Sequence, residues 1–408
     1  MSGEYDIVIA GGGLAGISLA CALAPGGARM AVIEATPPKS DRPPSFDDRA
    51  IALAHGSRRI FEAIGLWKNI AGTATPIQKI HVSERGRFGF THLDATEEGV
   101  PALGYVATAR DLGQALLESF STTGIDYYSP ARLVDFDNQD DSVVMEIESG
   151  EGKRQISAKL LVAADGGQSQ IRQRLGIDVR RWEYGHTAVV SNVLAGKPHA
   201  NIAYERFTPD GPLAFLPMTD NRFGVVLTVP TEEHEAILAL DDASFIALLQ
   251  ERFGYRCGRF TRAGRRSAYP LSLVTAKESV RKRVALLGNA AHTLHPISGQ
   301  GFNLGLRDVA VLADVVAHSL AEGRDPGALE TLKSYADARQ SDHRNMALIT
   351  DGLARLFSNP LGFVTFGRNI GLLAADLLPG IRHQIARHAM GLKDAHARLS
   401  RGLPVDRA

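Results

Sequence analysis

The chain has 408 residues, of which 44% are hydrophobic and 22% are charged. This length favours two domains, because one hydrophobic core rarely serves more than about 250–300 residues. The 45 basic and 45 acidic side chains balance, so the charge gives no basis for a nucleic-acid partner. Two cysteines, Cys21 and Cys257, exclude a disulfide framework and offer no metal-ligand spacing, which favours a reducing, cytoplasmic location.

The segment from Ile7 to Ala28 carries no charge and is long enough to cross a bilayer. It is rich in glycine, contains Pro25, and follows Glu4 and Asp6 instead of a basic segment. These features disfavour a signal peptide or a membrane span. They favour a buried strand that is followed by a turn and a helix.

The same N-terminal segment, YDIVIAGGGLAGISLACAL, predicts a strand over Asp6–Ala10, a glycine turn and then a helix. Gly11, Gly13 and Gly16 follow the pattern G-x-G-x-x-G, which provides a tight turn, room for a pyrophosphate and close packing of helix on strand. A second strand, RMAVIE, ends at Glu34, whose carboxylate would accept hydrogen bonds from an adenosine ribose. This order of elements predicts a site for an ADP-containing dinucleotide. Taken alone, it also fits an NAD-dependent dehydrogenase.

Two further strand-to-turn junctions occur later in the chain. An apolar strand over Leu160–Ala164 runs into Asp165 and Gly166, with Ser169 where a helix begins. The strand RVALLG leads into the glycine-rich stretch Gly288–Asp308 and then into a long apolar helix. Small residues at three strand ends predict one sheet that gathers its ligand-binding loops at one edge.

These three motifs, in this order, resemble those of the single-component FAD-dependent aromatic hydroxylases. The family carries G-x-G-x-x-G, then D-G-x-x-S-x-x-R, then G-D followed by P-x-x-G-x-G. In this chain the second motif falls on Asp165, Gly166, Ser169 and Arg172, and the third on Gly288, Asn289, Pro296, Gly299 and Gly301. The stretches HPISGQGFNLGLRD, FDDRAIALAHGSRRIFEAIGLW and YERFTPDGPLAFLPM are similar to the ubiquinone-biosynthesis hydroxylases of the UbiH group. Asn289 replaces the usual aspartate, so it would bind a hydroxyl without charge assistance.

The resemblance implies FAD as the cofactor and NAD(P)H as a co-substrate. The residues that it assigns to cofactor binding are Gly11, Gly13, Leu14, Ala15, Gly16, Glu34, Arg49, Arg110, Val134, Asp165, Gly166, Gly288, Asn289, Pro296, Gly299, Gln300, Gly301, Phe302 and Asn303. It places Pro296 near the flavin C4a atom, and Pro296 and His295 are the catalytic candidates. His295 fits a catalytic acid or base and a loop residue equally well. For His292 we favour a loop histidine satisfied by backbone, because the sequence pairs it with no carboxylate.

The fold that the resemblance implies is α/β, with a Rossmann-like FAD-binding domain of the glutathione-reductase type and an interleaved, mostly antiparallel substrate-binding sheet. The expected divisions are an FAD-binding domain over 1–74, 101–183 and 275–358, a sheet domain over 75–100 and 184–274, and C-terminal helices over 359–408. Alternating polar and apolar residues independently predict half-buried strands in the sheet domain. No metal site is expected, because no metal-ligand constellation occurs in the sequence.

The activity that the resemblance implies is hydroxylation of a polyprenylated phenol in ubiquinone biosynthesis. NAD(P)H would reduce FAD, and a flavin C4a-hydroperoxide formed with dioxygen would transfer one oxygen atom to the ring. Other proteins of that pathway are candidate partners, and the insoluble substrate tail predicts peripheral contact with the inner face of a membrane. The apolar segment 359–381 is either an interfacial patch or a buried helix packed on the flavin domain. We favour the buried helix, because the segment has no basic face.

Other functions fit the same scaffold. A hydroxylase of another aromatic compound and a non-oxygenating flavin reductase stay open. A halogenase is disfavoured, because neither Trp67 nor Trp182 lies in a Trp-x-Trp pattern. A binding protein without redox activity is disfavoured because all three motifs are present, although fold alone does not decide function. The oligomeric state stays open.

Overall fold

The computed structural model describes residues 3–37, 49–294, 299–358, 362–393 and 396–405. Its strands are β1 (Gly3–Ala10), β2 (Met30–Ile33), β3 (Ala50–Ala54), β4 (Thr75–Ile77), β5 (Lys79–Glu84), β6 (Phe90–Asp94), β7 (Gly104–Thr108), β8 (Asp126–Tyr128), β9 (Ala131–Asn138), β10 (Val143–Ser149), β11 (Gly152–Ala163), β12 (Val179–Ala195), β13 (Ile202–Thr208), β14 (Gly211–Met218), β15 (Arg222–Pro230), β16 (Phe260–Ala263), β17 (Ser267–Ala276), β18 (Val280–Arg281), β19 (Val284–Leu286) and β20 (His292–Thr293). Its helices are α1 (Leu14–Leu23), α2 (His55–Ala63), α3 (Trp67–Ile70), α4 (Ala109–Phe120), α5 (Gln170–Arg174), α6 (His234–Ala239), α7 (Asp242–Phe253), α8 (Gln300–Ala321), α9 (Leu329–Ser358), α10 (Gly362–Leu377) and α11 (Pro379–Ala389).

A parallel sheet forms the centre of the N-terminal part, with the strand order β8-β2-β1-β11-β19. Strand β18 pairs antiparallel with β19, and the hairpin β9–β10 extends from the first half of β11. Ile7, Val8 and Ile9 of β1 are all fully buried, so the sheet is covered on both faces. Continuous apolar strands of this kind are typical of parallel sheets.

Helices α1, α4 and α8 pack their apolar residues against one face of this sheet in a single hydrophobic core. The predicted elements are present with small shifts at their ends, since β1 begins at Gly3 and α1 ends at Leu23. The glycine turn between them is where the sequence predicts it. The expected α/β fold with a Rossmann-like unit is therefore confirmed.

An antiparallel sheet forms the second part, with the order β20-β17-β12-β15-β14-β13-β5-β6 and β16 beside β12. Strand β5 pairs in parallel with β13, which brings residues from 79–84 into the same sheet as residues from 179–230. One face of this sheet forms a closed core with α6 and α7. Strand β12 crosses the predicted domain boundary at residue 183, and the exact division into domains stays a prediction.

The C-terminal helices pack against both parts of the fold. Helix α9 packs on α8, whereas the principal neighbour of α10 is the edge strand β6 of the antiparallel sheet. The Gly89 N–H donates to Asn369 Oδ1 at 2.9 Å, and the His92 N–H donates to Asp376 Oδ1 at 2.7 Å. The outer face of α10 stays exposed, with Phe366 at 61%. The prediction that this segment is a buried helix on the flavin domain is therefore wrong.

None of the helices among the described residues combines the length and the apolarity that a membrane span requires. The apolar segment at the N-terminus forms β1, a turn and α1, as its glycines predict.

Candidate active site

The three sequence motifs meet at one edge of the parallel sheet. Ala10 of β1 lies in register with both Ile33 of β2 and Ala163 of β11. The hydrogen bonds continue one residue beyond the strands, because the Gly11 N–H donates to Ile33 O at 2.8 Å and the Ala164 N–H to Ala10 O at 2.8 Å. Loops after the carboxyl ends of parallel strands form the ligand site in such folds.

Two glycines of the first motif are required by close backbone contacts. Gly11 has φ of +116°, and a Cβ atom there would lie 2.3 Å from Ala164 O. A Cβ atom at Gly16 would lie 2.0 Å from Gly11 O. No larger side chain fits without moving the backbone, and the left-handed conformation favours glycine at the first position.

The N-terminus of α1 is open to an anion. Gly13 is its N-cap and offers no side-chain cap, and its first turn contains no acidic residue. The N–H groups of Leu14, Ala15 and Gly16 belong to the first turn, which has no intrahelical acceptors. Together with the helix dipole, these N–H groups provide a site for a pyrophosphate.

Glu34 fastens the glycine loop from the end of β2. Its Oε2 atom accepts the Gly12 N–H at 2.6 Å, and its Oε1 atom accepts the Thr36 N–H at 2.7 Å. Each carboxylate oxygen has a further lone pair that can accept from a ribose hydroxyl. Val134 lies nearby on β9, whose first residue, Ala131, donates its N–H to Glu34 O.

The second motif forms a turn that is tied to the third. Asp165 Oδ2 accepts the Gln170 N–H at 2.9 Å, whereas Asp165 Oδ1 is buried and has no hydrogen-bond partner among the described residues. Arg172 is buried and donates to Ala290 O at 2.8 Å and to Gly167 O at 3.0 Å. The unpartnered Asp165 oxygen is the acceptor that a ligand hydroxyl would satisfy.

At the third motif, small residues allow α1, α8 and the turn at Gly288 to pack closely together. Gly288 has φ of +56°, and a Cβ there would lie 3.5 Å from Ala15 Cβ and 3.9 Å from Gly305 Cα. This contact brings α8 against α1 beside the glycine loop. Gly166, which follows Asp165, also has positive φ, and the side chain of Asn289 is exposed.

The N-terminus of α8 is a second helix end without a side-chain cap or an acidic first turn. Its N-cap, Gly299, has φ of +63°, and a Cβ at Gly301 would meet no heavy atom of the described chain within 4 Å. The Asn303 side-chain amide makes four hydrogen bonds within the protein. It accepts from Ala54 N–H and the Ser57 hydroxyl and donates to the backbone oxygens of Ala52 and Gly299. Its predicted flavin contact stays a prediction, but the side chain has no donor left.

The remaining predicted residues surround these loops. Phe302 packs into the core, with its ring 6.3 Å from that of Phe61, and Gln300 Nε2 donates to Ala389 O. The Arg49 guanidinium lies 4.7 Å from the Tyr269 ring centroid, facing the antiparallel sheet. Arg110 is exposed in the first turn of α4, which packs on α1. Pro296 and His295 lie outside the described residues, so their assigned roles stay predictions.

The expectation that His292 is satisfied by backbone, because no carboxylate pairs with it, is wrong. Its Nε2 atom lies 2.6 Å from Asp308 Oδ2, and both side chains are buried. Asp308 Oδ1 also contacts His343 Nε2 at 2.6 Å and Arg339 Nε at 2.7 Å. The sequence gives no signal that brings residues from β20, α8 and α9 together, because these partners become neighbours only when the helices and the strand pack.

This buried cluster is balanced in charge. Arg339 and Arg307 also pair with Asp342, each at 2.7 Å. Desolvation by burial acts to raise the pKa of Asp308, but His343, His292 and Arg339 hold that pKa well below its usual value. Burial lowers the pKa of His292, and the contact with Asp308 opposes this shift.

His292, Asp308 and His343 have the residue types and spacing of metal ligands, since their ligand atoms lie within 4.8 Å of one another. Arg339 donates to the same carboxylate, so a divalent cation at this position would meet a fixed positive charge. The arrangement is therefore better explained as an ion-pair network than as a metal site. The network connects β20, which lies within the third motif, to α8 and α9.

The fold and the two open helix ends define the protein as a nucleotide-binding α/β protein. Residues 4–346 match the family model described as an FAD binding domain, and the chain belongs to this family. The expected cofactor, FAD, and the resemblance to flavin-dependent hydroxylases are confirmed. The glycine loop, the free Asp165 oxygen and the open backbone at Gly301 all fit such a cofactor.

Known proteins are similar to this chain along nearly its whole length. The ubiquinone hydroxylase UbiL of Rhodospirillum rubrum is 39% identical over 404 residues, covering 98% of this chain and 93% of that protein. The 3-demethoxyubiquinol 3-hydroxylase of Escherichia coli is 33% identical over 392 residues, covering 95% and 98%. The crystal structure of p-nitrophenol 4-monooxygenase PnpA from Pseudomonas putida shares the fold, with a TM-score of 0.81, 19% identity, and coverage of 98% and 100%.

Replacing Gly11 by Ala should strongly reduce FAD binding, because the added Cβ would push the loop away from Ala164. We expect at least about tenfold less flavin per protein after purification, measured by absorbance after denaturation. The matched control is Gly26→Ala, where a Cβ meets nothing within 4 Å. Equal flavin content in both variants would show that the glycine loop does not hold the cofactor.

Replacing Asp308 by Asn should destabilise the fold, because Arg339 would lose a charged partner in a buried site. Breaking a buried ion pair costs about 3–5 kcal/mol of unfolding free energy, which denaturant titration measures. Asp141→Asn, at an exposed position, should change this free energy by less than about 0.5 kcal/mol. A loss for Asp308→Asn as small as that of the control would contradict a structural role for the cluster.

Proposed function

We propose that this protein is an FAD-dependent monooxygenase that hydroxylates the aromatic ring of a polyprenylated phenol in ubiquinone biosynthesis. The observation that carries the proposal is that α1 and α8, whose N-termini at Gly13 and Gly299 have no side-chain cap, pack together beside the motif residues at one sheet edge. The similarity to two ubiquinone hydroxylases along nearly their whole length supports the substrate class. FAD, when bound, would provide the transfer of electrons from NAD(P)H to dioxygen and of one oxygen atom to the ring.

The protein's own groups would bind and orient the cofactor. First-turn N–H groups of α1 would hold the pyrophosphate, and the Glu34 carboxylate would accept from the ribose. The N-terminus of α8 would stabilise negative charge at the edge of the isoalloxazine ring, where the open backbone at Gly301 leaves room for it. This stabilisation matters because the reduced ring is an anion.

The antiparallel sheet would cover this site. Ala203 and Met218 form an apolar cluster with Ala50 and Ala52, and Ala52 Cβ lies 3.1 Å from the Cβ position of Gly299. The sheet therefore meets the α8 N-terminus through β3. A substrate ring between the sheet and the cofactor would be shielded from water, which favours oxygen transfer over the release of hydrogen peroxide.

Purified protein that contains FAD should oxidise NAD(P)H in the presence of a prenylated phenol and dioxygen, and it should yield a product that is heavier by one oxygen atom. Mass spectrometry of the product and oxygen-electrode measurements check this stoichiometry. In a strain that lacks the gene, a prenylated phenol missing one hydroxyl should accumulate. An unchanged quinone pool with another aromatic compound accumulating would instead indicate a different aromatic substrate.

We also propose peripheral contact with a lipid bilayer through the outer faces of α10 and α11. Large apolar side chains are exposed there, namely Phe366, Ile370, Leu377, Leu378, Ile381 and Ile385. Contiguous exposed apolar side chains are uncommon on soluble surfaces and favour an interface. An insoluble prenyl tail would have to pass from the bilayer to the site, so a lipid surface is the occupant that suits this substrate.

The triple variant Phe366→Ser, Ile370→Ser and Leu377→Ser should bind vesicles of phosphatidylcholine and phosphatidylglycerol at least about tenfold more weakly, because three apolar side chains no longer insert. Vesicle flotation measures the bound fraction. Leu329→Ser, at an exposed position at the start of α9, is the control and should bind as the unmodified protein does. Equal binding by the triple variant would exclude this face as the contact.

A further inference from the structure

The two faces of the antiparallel sheet differ in accessibility. Alternate residues such as Tyr204, Phe215 and Val225 lie in the closed core beneath α6 and α7. On the opposite face, the strand registers place one row of residues side by side across five strands. The row, which we call the inner row, consists of Val82, Glu205, Ala214, Val226 and Val190. Every member of the row is partly accessible. On β12, β14 and β15, the residues directly before and after each member are buried.

The inner row lies beside the cofactor end of the sheet. Ala203, two residues before Glu205 on the same face, packs against the β3 residues next to Gly299. Phe207, two residues after Glu205, stacks on Phe357 of α9 with ring centroids 3.4 Å apart. Because two strand residues span about 7 Å, Glu205 lies between the α8 N-terminus and the covering helix.

Glu205 is chemically different from the rest of the inner row. The other members are valine and alanine, and the Glu205 carboxyl forms no hydrogen bond or ion pair with any residue that the structure describes. The nearest carboxylate on the same face, Glu84 of β5, is already bound by Arg368 and Asn369. Burial raises the pKa of Glu205 to about 7.

A carboxyl group without a partner in an apolar wall costs free energy, and it destabilises the protein unless something binds it. A phenolic hydroxyl is a donor that would remove this cost. A site that hydrogen-bonds a substrate hydroxyl also rejects analogues that lack it, because the carboxylate is then left unpaired.

We propose that Glu205 determines substrate specificity by accepting a hydrogen bond from the ring hydroxyl of the phenol, while the inner row contacts the apolar part of the substrate. This inference rests on the proposed function and adds a residue to it. The carboxylate fixes the ring by its hydroxyl, and the distance from that hydroxyl to the α8 N-terminus then decides which ring carbon faces the cofactor.

The test compares binding of a prenylated phenol with that of its methyl ether, which cannot donate a hydrogen bond. Binding to the FAD-containing protein at pH 8, where the Glu205 carboxyl is ionised, is measured by the change in flavin absorbance. The unmodified protein should prefer the phenol by about tenfold to a hundredfold. Glu205→Leu should abolish this preference, and the isosteric Glu205→Gln should show an intermediate one. Glu148→Gln, on the exposed part of β10, should keep the full preference.

Glu205→Leu should fold and retain FAD, because the replaced carboxyl has no partner among the described residues; flavin content and denaturant unfolding check this. If both variants at Glu205 prefer the phenol as strongly as the unmodified protein does, the assignment of Glu205 is wrong while the hydroxylase function stands. If the unmodified protein binds no prenylated phenol, the proposed function and this assignment both fail.

Discussion

The shared edge at the carboxyl ends of β1, β2, β11 and β19 is the constraint on which the rest of the structure depends. Parallel strands in register end together, so the loops after them must occupy one small volume. Gly11 has no room for a side chain because the chain after β11 lies against it, and Gly16 has none because the carbonyl of Gly11 lies against it. The same crowding leaves backbone N–H groups, and not side chains, directed at the ligand.

Buried charged side chains join the elements around the third motif. Asp308 on α8 is bound by His292 of β20 and by His343 and Arg339 of α9, all of which are largely buried. These contacts connect β20 to α8 and α9. Asn303 adds four hydrogen bonds between the first turn of α8, β3 and α2. A rigid support of this kind keeps a helix N-terminus oriented toward a reacting group.

The sequence predicts the parts of the site that depend on local geometry. Glycine spacing, apolar strands and the acid at the end of β2 are local features, so the nucleotide loop and its place at the sheet edge could be foreseen. The partner of His292 could not, because Asp308 and His343 become its neighbours only when α8 packs on α9. The side-chain direction of Glu205 depends on strand register, and the exposure of Phe366 depends on which face of α10 meets β6. Both are tertiary features that no short motif encodes.

A crystal structure of the protein with FAD bound tests the central claim most directly. The account predicts the pyrophosphate within hydrogen-bonding distance, about 3 Å, of the first-turn N–H groups of α1, and the ring edge at the N-terminus of α8. It also predicts that the inner row faces the ring across the substrate space. A flavin bound elsewhere, or one whose pyrophosphate has no contact with α1, would contradict the account.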